Sequence, residues 1–360
     1  MPSAGSGGAL LIVPVTGVGE VVRGTDLAAV LLAAMAGTGL EVRAGDCLVV
    51  SSKVVSKTLG LAWRGGKADA VGNETVRVVA ERRGDAGITQ VVESVAGPVM
   101  AAAGVDGSNT GRSGRLLLLP GEPDTEAARL RDDLLAALGL PASAPLAVVL
   151  SDTAGRPWRN GLTDFALGAA GLHVIEDLRG RSDHDGRPLT VTTRALADEV
   201  AAAADLVKGK ADGIPAALVR GLPATWFAGD AQGARSLLRT GPGDWFALGH
   251  VEAVRQALGV AAGSSAAREV GVPSTRTDEP FPTRVGRVVA LALRDVPGGS
   301  ADVGLEEPAE SAEVTLGAAD DYDLGRLVTR CQVAASSEAM EATLVGRPPG
   351  AVVVRLVDGT

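Results

Sequence analysis

The sequence predicts a mixed α/β protein, and three observations predict it. Short apolar runs close on polar, glycine-containing loops, as strands of an α/β sheet do when they deliver side chains to their carboxyl ends. Alanine-rich stretches with helical spacing alternate with those runs, notably Pro123 to Leu138 and Thr193 to Val207. Hydrophobic residues make up 46% of the 360 and aromatic residues only 2%, so the core is built from Ala, Val and Leu.

The elements follow in chain order. Leu10 to Val15 reads as a strand, and Gly17-Val18-Gly19-Glu20-Val21 as the loop after it. Asp26 is placed to cap a helix from Leu27 to Met35. Cys47 to Val50 is a buried strand that empties into Ser51-Ser52-Lys53-Val54-Val55-Ser56-Lys57. The hydroxyls and ammonium groups of that segment suit phosphate oxygens; the plainer reading is a solvated strand end. Asn73 to Arg82 reads as a helix, Val91 to Met100 mixes strand and turn residues, and Arg115 to Leu119 is an apolar run. Pro123 to Leu138 is an amphipathic helix with Arg129, Arg131, Asp132 and Asp133 toward water. Pro145 to Leu150 is a buried strand, and Ser151 to Gly161 a polar loop beyond it. Thr163 to Leu172 is small enough for close packing of elements. Arg179 to Arg187 is a charged loop, either solvated or offering cations to an anion. The helix Thr193 to Val207 ends at Gly209, and Lys208 to Pro215 forms a flexible basic connector to the strand Ala216 to Arg220. Ala234 to Leu238 and Trp245 to Leu258 read as helical.

The character of the chain shifts near Gly259. The expected organisation is a main domain over 9–258, a linker over 259–282 and a small C-terminal α/β extension over 283–360. Within the extension, Val285 to Leu293 reopens folded structure, Pro297 to Ala312 reads as a loop, Asp323 to Met340 as a helix and Ala351 to Val357 as a strand.

Composition excludes several classes. A formal net charge of -9 disfavours nucleic acid and anionic membranes as partners. Scarce aromatics argue against base-stacking platforms. The two cysteines, Cys47 and Cys331, make neither a disulfide framework nor a zinc site, and the three histidines have no ligand spacing. No run approaches the roughly 18 apolar residues of a membrane span, and Met1 to Gly8 lacks the basic start of a secretory signal. The expected compartment is the cytoplasm.

Two acidic loops carry the chemistry. Ser151-Asp152-Thr153-Ala154-Gly155-Arg156 offers a carboxylate, a hydroxyl and a guanidinium, with Arg159 just beyond. Ala101 to Asn109 runs from apolar residues into a second loop holding Asp106 and Asn109. A metal-bound nucleotide needs such a pair, because Mg²⁺ or Mn²⁺ uses one or two carboxylates together with phosphate oxygens. The bland reading is a polar turn after a core strand.

Several ordered motifs resemble one family, the coenzyme F420-0:L-glutamate ligases, or F420 gamma-glutamyl ligases. They are Pro14-Val15-Thr16-Gly17, Val49 to Lys57, Ala101 to Arg112, Ser151 to Gly171 and Ala197 to Gly209, and the resemblance spans residues 9–250. It implies a non-Rossmann mixed fold and a homodimer. The implied activity is that of an acid–amino-acid ligase, which uses GTP to join L-glutamate by an amide to the lactyl carboxylate of F420-0. The implied cofactors are two divalent cations, Mg²⁺ or Mn²⁺, with a monovalent cation such as K⁺ as an optional third. Carried onto this chain, Asp106 and Asp152 would bind the first metal and Thr153 the second. Val18, Gly19, Glu20, Val21, Ser52, Lys57 and Asn109 would contact GTP, as would the loop holding Lys210, Asp212 and Gly213. Asp152 and Lys57 then count as catalytic. Arg156, with Arg159 and Arg112, is a candidate by charge and position for holding an anionic substrate. Two departures stand out: Leu59 replaces the family's usual Glu before Gly60, and Lys210 stands where some members carry Gln. Residues 260–360 do not resemble the FMN-binding nitroreductase domain that some relatives append, so no FMN is expected. Two other readings use the same acidic loops: a catalytically lapsed GTP- and metal-binding regulatory protein, and a metal-dependent phosphohydrolase.

Overall fold

The short apolar runs of the sequence become the strands of a sheet with two different faces. The computed structural model describes residues 9–84, 87–107, 115–209, 212–241, 244–271, 279–306 and 310–359. Asn109, Arg112 and Lys210 lie outside them. The chain divides into two units, residues 1–76 with 94–239, and residues 77–93 with 240–360.

In chain order the first unit has strand β1 (Leu11–Pro14), helix α1 (Leu27–Gly37), strand β2 (Asp46–Ser51), helix α2 (Ser52–Leu59), strand β3 (Ala62–Trp63) and helix α3 (Lys67–Asn73). The hairpin β4 (Thr75–Gly84) and β5 (Gly87–Ser94) falls mainly in the second unit. The first unit resumes with β6 (Val99–Ala101), β7 (Leu116–Leu117), α4 (Pro123–Ala137), β8 (Ala147–Arg156), β9 (Arg159–Ala170), β10 (Ile175–Asp177), β11 (Thr193–Ala195), α5 (Leu196–Lys208) and β12 (Ala216–Arg220). Its five-stranded sheet has the order β1-β12-β2-β8-β9. Only the β2–β8 pair is parallel, in a register that sets Val49 opposite Val149 and Ser51 opposite Ser151.

Period two decides the layers. Leu48, Val50, Val148, Leu150 and Leu218 face one way and pack with Leu31 and Met35 of α1 and Leu130 and Leu134 of α4. Cys47, Val49, Val149 and Val219 face the other way, against Ala197, Val200, Ala201 and Ala204 of α5. Near-continuous apolar runs in β2 and β8 reflect burial on both faces. Close packing at Thr163 to Leu172 is borne out at Gly168: a Cβ there would stand 2.3 Å from the Pro123 carbonyl oxygen at the start of α4. Asp26 caps α1 as expected, its carboxylate accepting from the Ala29 N–H at 3.0 Å.

Several local expectations are corrected. Ser52 to Lys57 is not a strand end but most of helix α2, closed by Gly60 at φ +73°, a left-handed conformation that glycine adopts freely. Asn73 to Arg82 is chiefly strand β4; the β-branched Thr75, Val76, Val78 and Val79 outweigh the helical pattern. Ser151 to Gly161 is a hairpin, since β8 runs on to Arg156, turns at Pro157-Trp158 and returns as β9. Thr193 to Ala195 is a strand paired with β10, so the helix begins at Leu196. Arg131 does not face water. It is buried and donates to the carbonyls of Leu146, Ala142 and Ala144 at 2.7, 3.0 and 3.1 Å. Lys208 is the buried last residue of α5, not part of a free connector.

The second unit contains α6 (His250–Ala257), α7 (Ser265–Glu269), α8 (Phe281–Leu293), β13 (Ser300–Leu305), β14 (Ser311–Gly317), α9 (Asp321–Ser337), β15 (Met340–Gly346) and β16 (Ala351–Asp358). An antiparallel sheet of order β13-β14-β16-β15 buries Val314, Leu316, Val354 and Leu356 against Val288 and Leu291 of α8 and Leu327 and Cys331 of α9. Two sequence expectations change here. Pro297 to Ala312 holds strand β13, and the stretch expected as linker holds α7, whose Ala266 and Ala267 join this core. By packing, residues 240–360 fall in the second unit with residues 77–93, and α6 packs against α9. Among the described residues, no helix is long and apolar enough to cross a membrane.

Candidate active site

The site grows from the parallel pairing of β2 and β8. Their last partners are Ser51 and Ser151, so the next residues, Ser52 and Asp152, emerge side by side. The Ser52 hydroxyl donates to Asp152 Oδ1 at 3.2 Å. Ser52 opens α2, which carries Lys53 and Lys57 one turn apart on the same face. Lys53 Nζ lies 2.5 Å from Asp106 Oδ2, and Lys57 Nζ lies 2.9 Å from Glu20 Oε1. Thus α2 ties the two acidic segments and the β1–α1 loop to one place.

The β8–β9 hairpin adds a buried charge. Its register sets Thr153 opposite Asp164. Ser151 Oγ donates to Asp164 Oδ2 at 2.8 Å, and Thr153 Oγ1 donates to Oδ1 at 2.7 Å. Lys208 Nζ, arriving at the end of α5, donates to Asp164 Oδ2 at 2.6 Å and to Ser151 Oγ at 2.7 Å. Asp164 and Lys208 are 4% and 3% exposed, so neither charge is offset by water. Burial opposes ionisation of Asp164, but the Lys208 charge and hydrogen bond, with the two hydroxyls, outweigh it and hold the carboxyl below its usual range. Nearby, burial pushes the Asp198 carboxyl up, although the Ala166 N–H that it accepts at 2.9 Å works the other way.

These groups border a cleft of about 420 Å³. It gathers eight of the residues singled out from sequence: Val18, Gly19, Glu20, Val21, Lys57, Asp152, Thr153 and Gly213. Ser52 is fully buried and reaches the cleft through the Asp152 carboxylate. Asp106 reaches it through Lys53, which lines it. Asp212 is exposed beside the lining, and Arg156 is not brought in: with its partner Arg159 it sits at the exposed hairpin end. Asn109 and Lys210 fall outside the described residues. Sequence reasoning missed Asp164 and Asp205, which both line the cleft. The signal for Asp164 was an acid inside the small, apolar run that follows the Asp152 turn.

The donor set suits a hard cation. Asp152 offers a carboxylate and Thr153 a hydroxyl oxygen beside it, and both face the cleft. Among the described residues, no group of three His, Cys, Asp or Glu side chains encloses a metal.

Comparison with known proteins points to one family. The model of the F420-0:Gamma-glutamyl ligase family matches residues 66–221, the stretch that contributes Asp106, Asp152, Asp164 and Lys208. A Coenzyme F420:L-glutamate ligase of Halorubrum lacusprofundi is 36% identical over 266 residues, which is 68% of this chain and 95% of that protein. One from Halobacterium salinarum gives the same figures, 36% over 266 residues. One from Methanothermobacter thermautotrophicus is 36% identical over 249 residues, 63% of this chain and 95% of that protein. The mixed α/β fold, its cleft and these likenesses define an enzyme of the ligase class. The chain belongs to the F420-0:gamma-glutamyl ligase family.

Proposed function

We propose that this chain joins L-glutamate to the lactyl carboxylate of F420-0 in coenzyme F420 biosynthesis, using GTP and an acyl-phosphate intermediate. The observation that carries the reading is the cleft itself. One space gathers a glycine-bearing loop, a lysine, a carboxylate with an adjacent hydroxyl and a second glycine turn, within a chain alike to the named ligases over 95% of their length.

The chemistry requires such a site. A carboxylate is a poor electrophile, and its condensation with an amine needs activation. Transfer of the γ-phosphoryl of GTP to the carboxylate releases GDP and forms an acyl phosphate. The glutamate amine then attacks the carbonyl, inorganic phosphate leaves, and the nitrogen gives up its proton. The protein's part is to hold the attacking and leaving oxygens in line and to neutralise charge. Gly19, Gly213 and Lys57 line the cleft; the backbone N–H groups of the two glycines and the Lys57 ammonium would bind phosphate oxygens. Ser52 fixes the orientation of Asp152. Asp106, turning from Lys53, and Asp152 would share one divalent cation, and Thr153 would bind the second; a cation there would supply charge neutralisation of the phosphates. The same resemblance supports a cytoplasmic homodimer.

Mass spectrometry of the purified chain with F420-0, L-glutamate, GTP and Mn²⁺ tests the reading. The expected result is a gain of one or more glutamyl units, abolished in Asp152→Ala. GTP hydrolysis indifferent to both other substrates would point to a phosphohydrolase instead. GTP binding without turnover would point to a lapsed enzyme.

A further inference from the structure

Beside the cleft lies a second one, also about 420 Å³, which the reading above leaves without a ligand. The two share Glu20, Val21 and Lys57. Arg23 enters from the β1–α1 loop, Arg64 from the end of β3, and Arg115 from the residue before β7. All three are exposed. Among the described residues, no carboxylate pairs with any of them, whereas Lys57 and Lys53 are both paired. Gly60 helps to build the arrangement: a Cβ there would stand 2.7 Å from Arg23 Cδ, so the bare helix end is what lets the Arg23 stem lie across it.

We infer that this arginine groove binds the carboxylate-rich end of the acceptor, that is, the glutamyl groups the enzyme has attached. The inference rests on the ligase reading for its choice of anion. Three unpaired guanidinium groups call for a polyanion. The kind of polyanion follows from what the groove lacks. The neighbouring cleft has carboxylate and hydroxyl donors for a cation that would accompany phosphates. Among the described residues Glu20 is the only acid lining the groove, and it is paired with Lys57. A metal-free anion suits planar guanidinium forks, and carboxylates match their two-pronged geometry. The reaction itself makes the anion grow. Each amide formed consumes one acceptor carboxylate and brings two from glutamate, so the acceptor end gains one negative charge per addition. A positively charged groove at the edge of the cleft therefore favours glutamylated acceptor over the bare one.

Titration calorimetry with a γ-linked glutamate trimer and, separately, with inorganic tripolyphosphate reads the groove without catalysis. The full chain is used beside Arg64→Ala, Arg115→Ala and the double variant, all at exposed positions. The trimer should weaken by about three- to fivefold per arginine and by about tenfold or more in the double variant. Tripolyphosphate should be insensitive to both. In turnover, the double variant should raise KM for a singly glutamylated acceptor more than for F420-0, with KM for GTP unchanged. Unaltered trimer binding in the double variant overturns the inference while leaving the ligase reading intact. A loss confined to tripolyphosphate, or a raised KM for GTP, also overturns it and makes the groove a phosphate site. If the wild-type chain forms no glutamylated product yet binds the trimer through these arginines, the ligase reading fails and the groove stands.

Discussion

Each unit buries a network of charges, and the two networks differ in what they face. In the first unit, Lys208, Asp164, Ser151 and Thr153 line an open cleft. In the second, Glu338 is fully buried between Arg255 of α6 and Arg287 of α8; Arg287 Nη1 lies 2.5 Å from Glu338 Oε2 and its Nη2 lies 2.6 Å from Glu279 Oε1. Burial works against the Arg287 charge, but its hydrogen bonds to Glu279 and the Glu338 charge prevail and raise its pKa. Both networks are costly to desolvate and repay that cost only with complete partners. Buried charge alone therefore does not mark a catalytic centre. What marks one is buried charge that holds polar groups toward empty space, as the first network does at its cleft.

The largest expected effects come from removing one partner in each. Lys208→Met leaves the Asp164 carboxylate buried without its cation, and Glu338→Gln leaves two arginines facing a neutral amide. Each should lower unfolding free energy by about 3–5 kcal/mol in urea titration. They part company in function. At a temperature where both variants remain folded, Glu338→Gln should retain wild-type nucleotide affinity, whereas Lys208→Met should lose at least about tenfold, or 1.4 kcal/mol. Equal loss in both would break the comparison. The double change Lys208→Met with Asp164→Leu sharpens it. An apolar pair of similar volume should restore much of the stability without restoring binding.

The next effect is in acid. The Asp164 carboxyl is held below its usual range in the folded chain, so it binds a proton less readily there than when unfolded. Its stabilisation is therefore complete above the ordinary carboxylate pKa of about 4 and is lost as pH falls through the lower folded value. Stability measured down this limb should fall less steeply in Asp164→Asn, which starts lower but has no such proton to take up. An unchanged slope would show that other carboxylates carry the acid sensitivity.

Much of the first unit was legible in its sequence, and the misses share a cause. The strand Ala216–Arg220 and the cap at Asp26 are local signals, and the structure keeps them. The glycine loop, Lys57, Asp152 and Thr153 were found as motifs, and they meet in one cleft. Asp164 was not found because its meaning comes from register: it faces Thr153 only once Pro157-Trp158 turns the chain back. Lys208 was read as the start of a flexible basic connector because nothing local shows that α5 ends against Asp164. Arg131 was read as facing water, though three carbonyls wait for it across the fold. The β4 strand was missed because Asn73 to Arg82 fits both periods, and pairing decided between them. The charge network of the second unit left no sequence signal, since its four members are spread from Arg255 to Glu338.

The smallest effect uses a thiol in each unit as a reporter. Burial, with help from the Asp46 charge, pushes the Cys47 thiol up to about 12, and burial pushes Cys331 up to about 11. Neither forms appreciable thiolate at neutral pH, and both are inaccessible, so alkylation should wait on opening of the surrounding core. Cys47 lies on β2, under the cleft, while Cys331 lies in the core of α8 and α9. A nucleotide that binds only the folded first unit stabilises it by about 2.7 kcal/mol at a hundred times its Kd. Labelling of Cys47 should then slow by up to about a hundredfold, with Cys331 much less affected, as read by mass spectrometry of alkylated peptides. Equal slowing at both thiols would mean that the two units open as one, and no slowing at Cys47 would place the nucleotide away from this sheet.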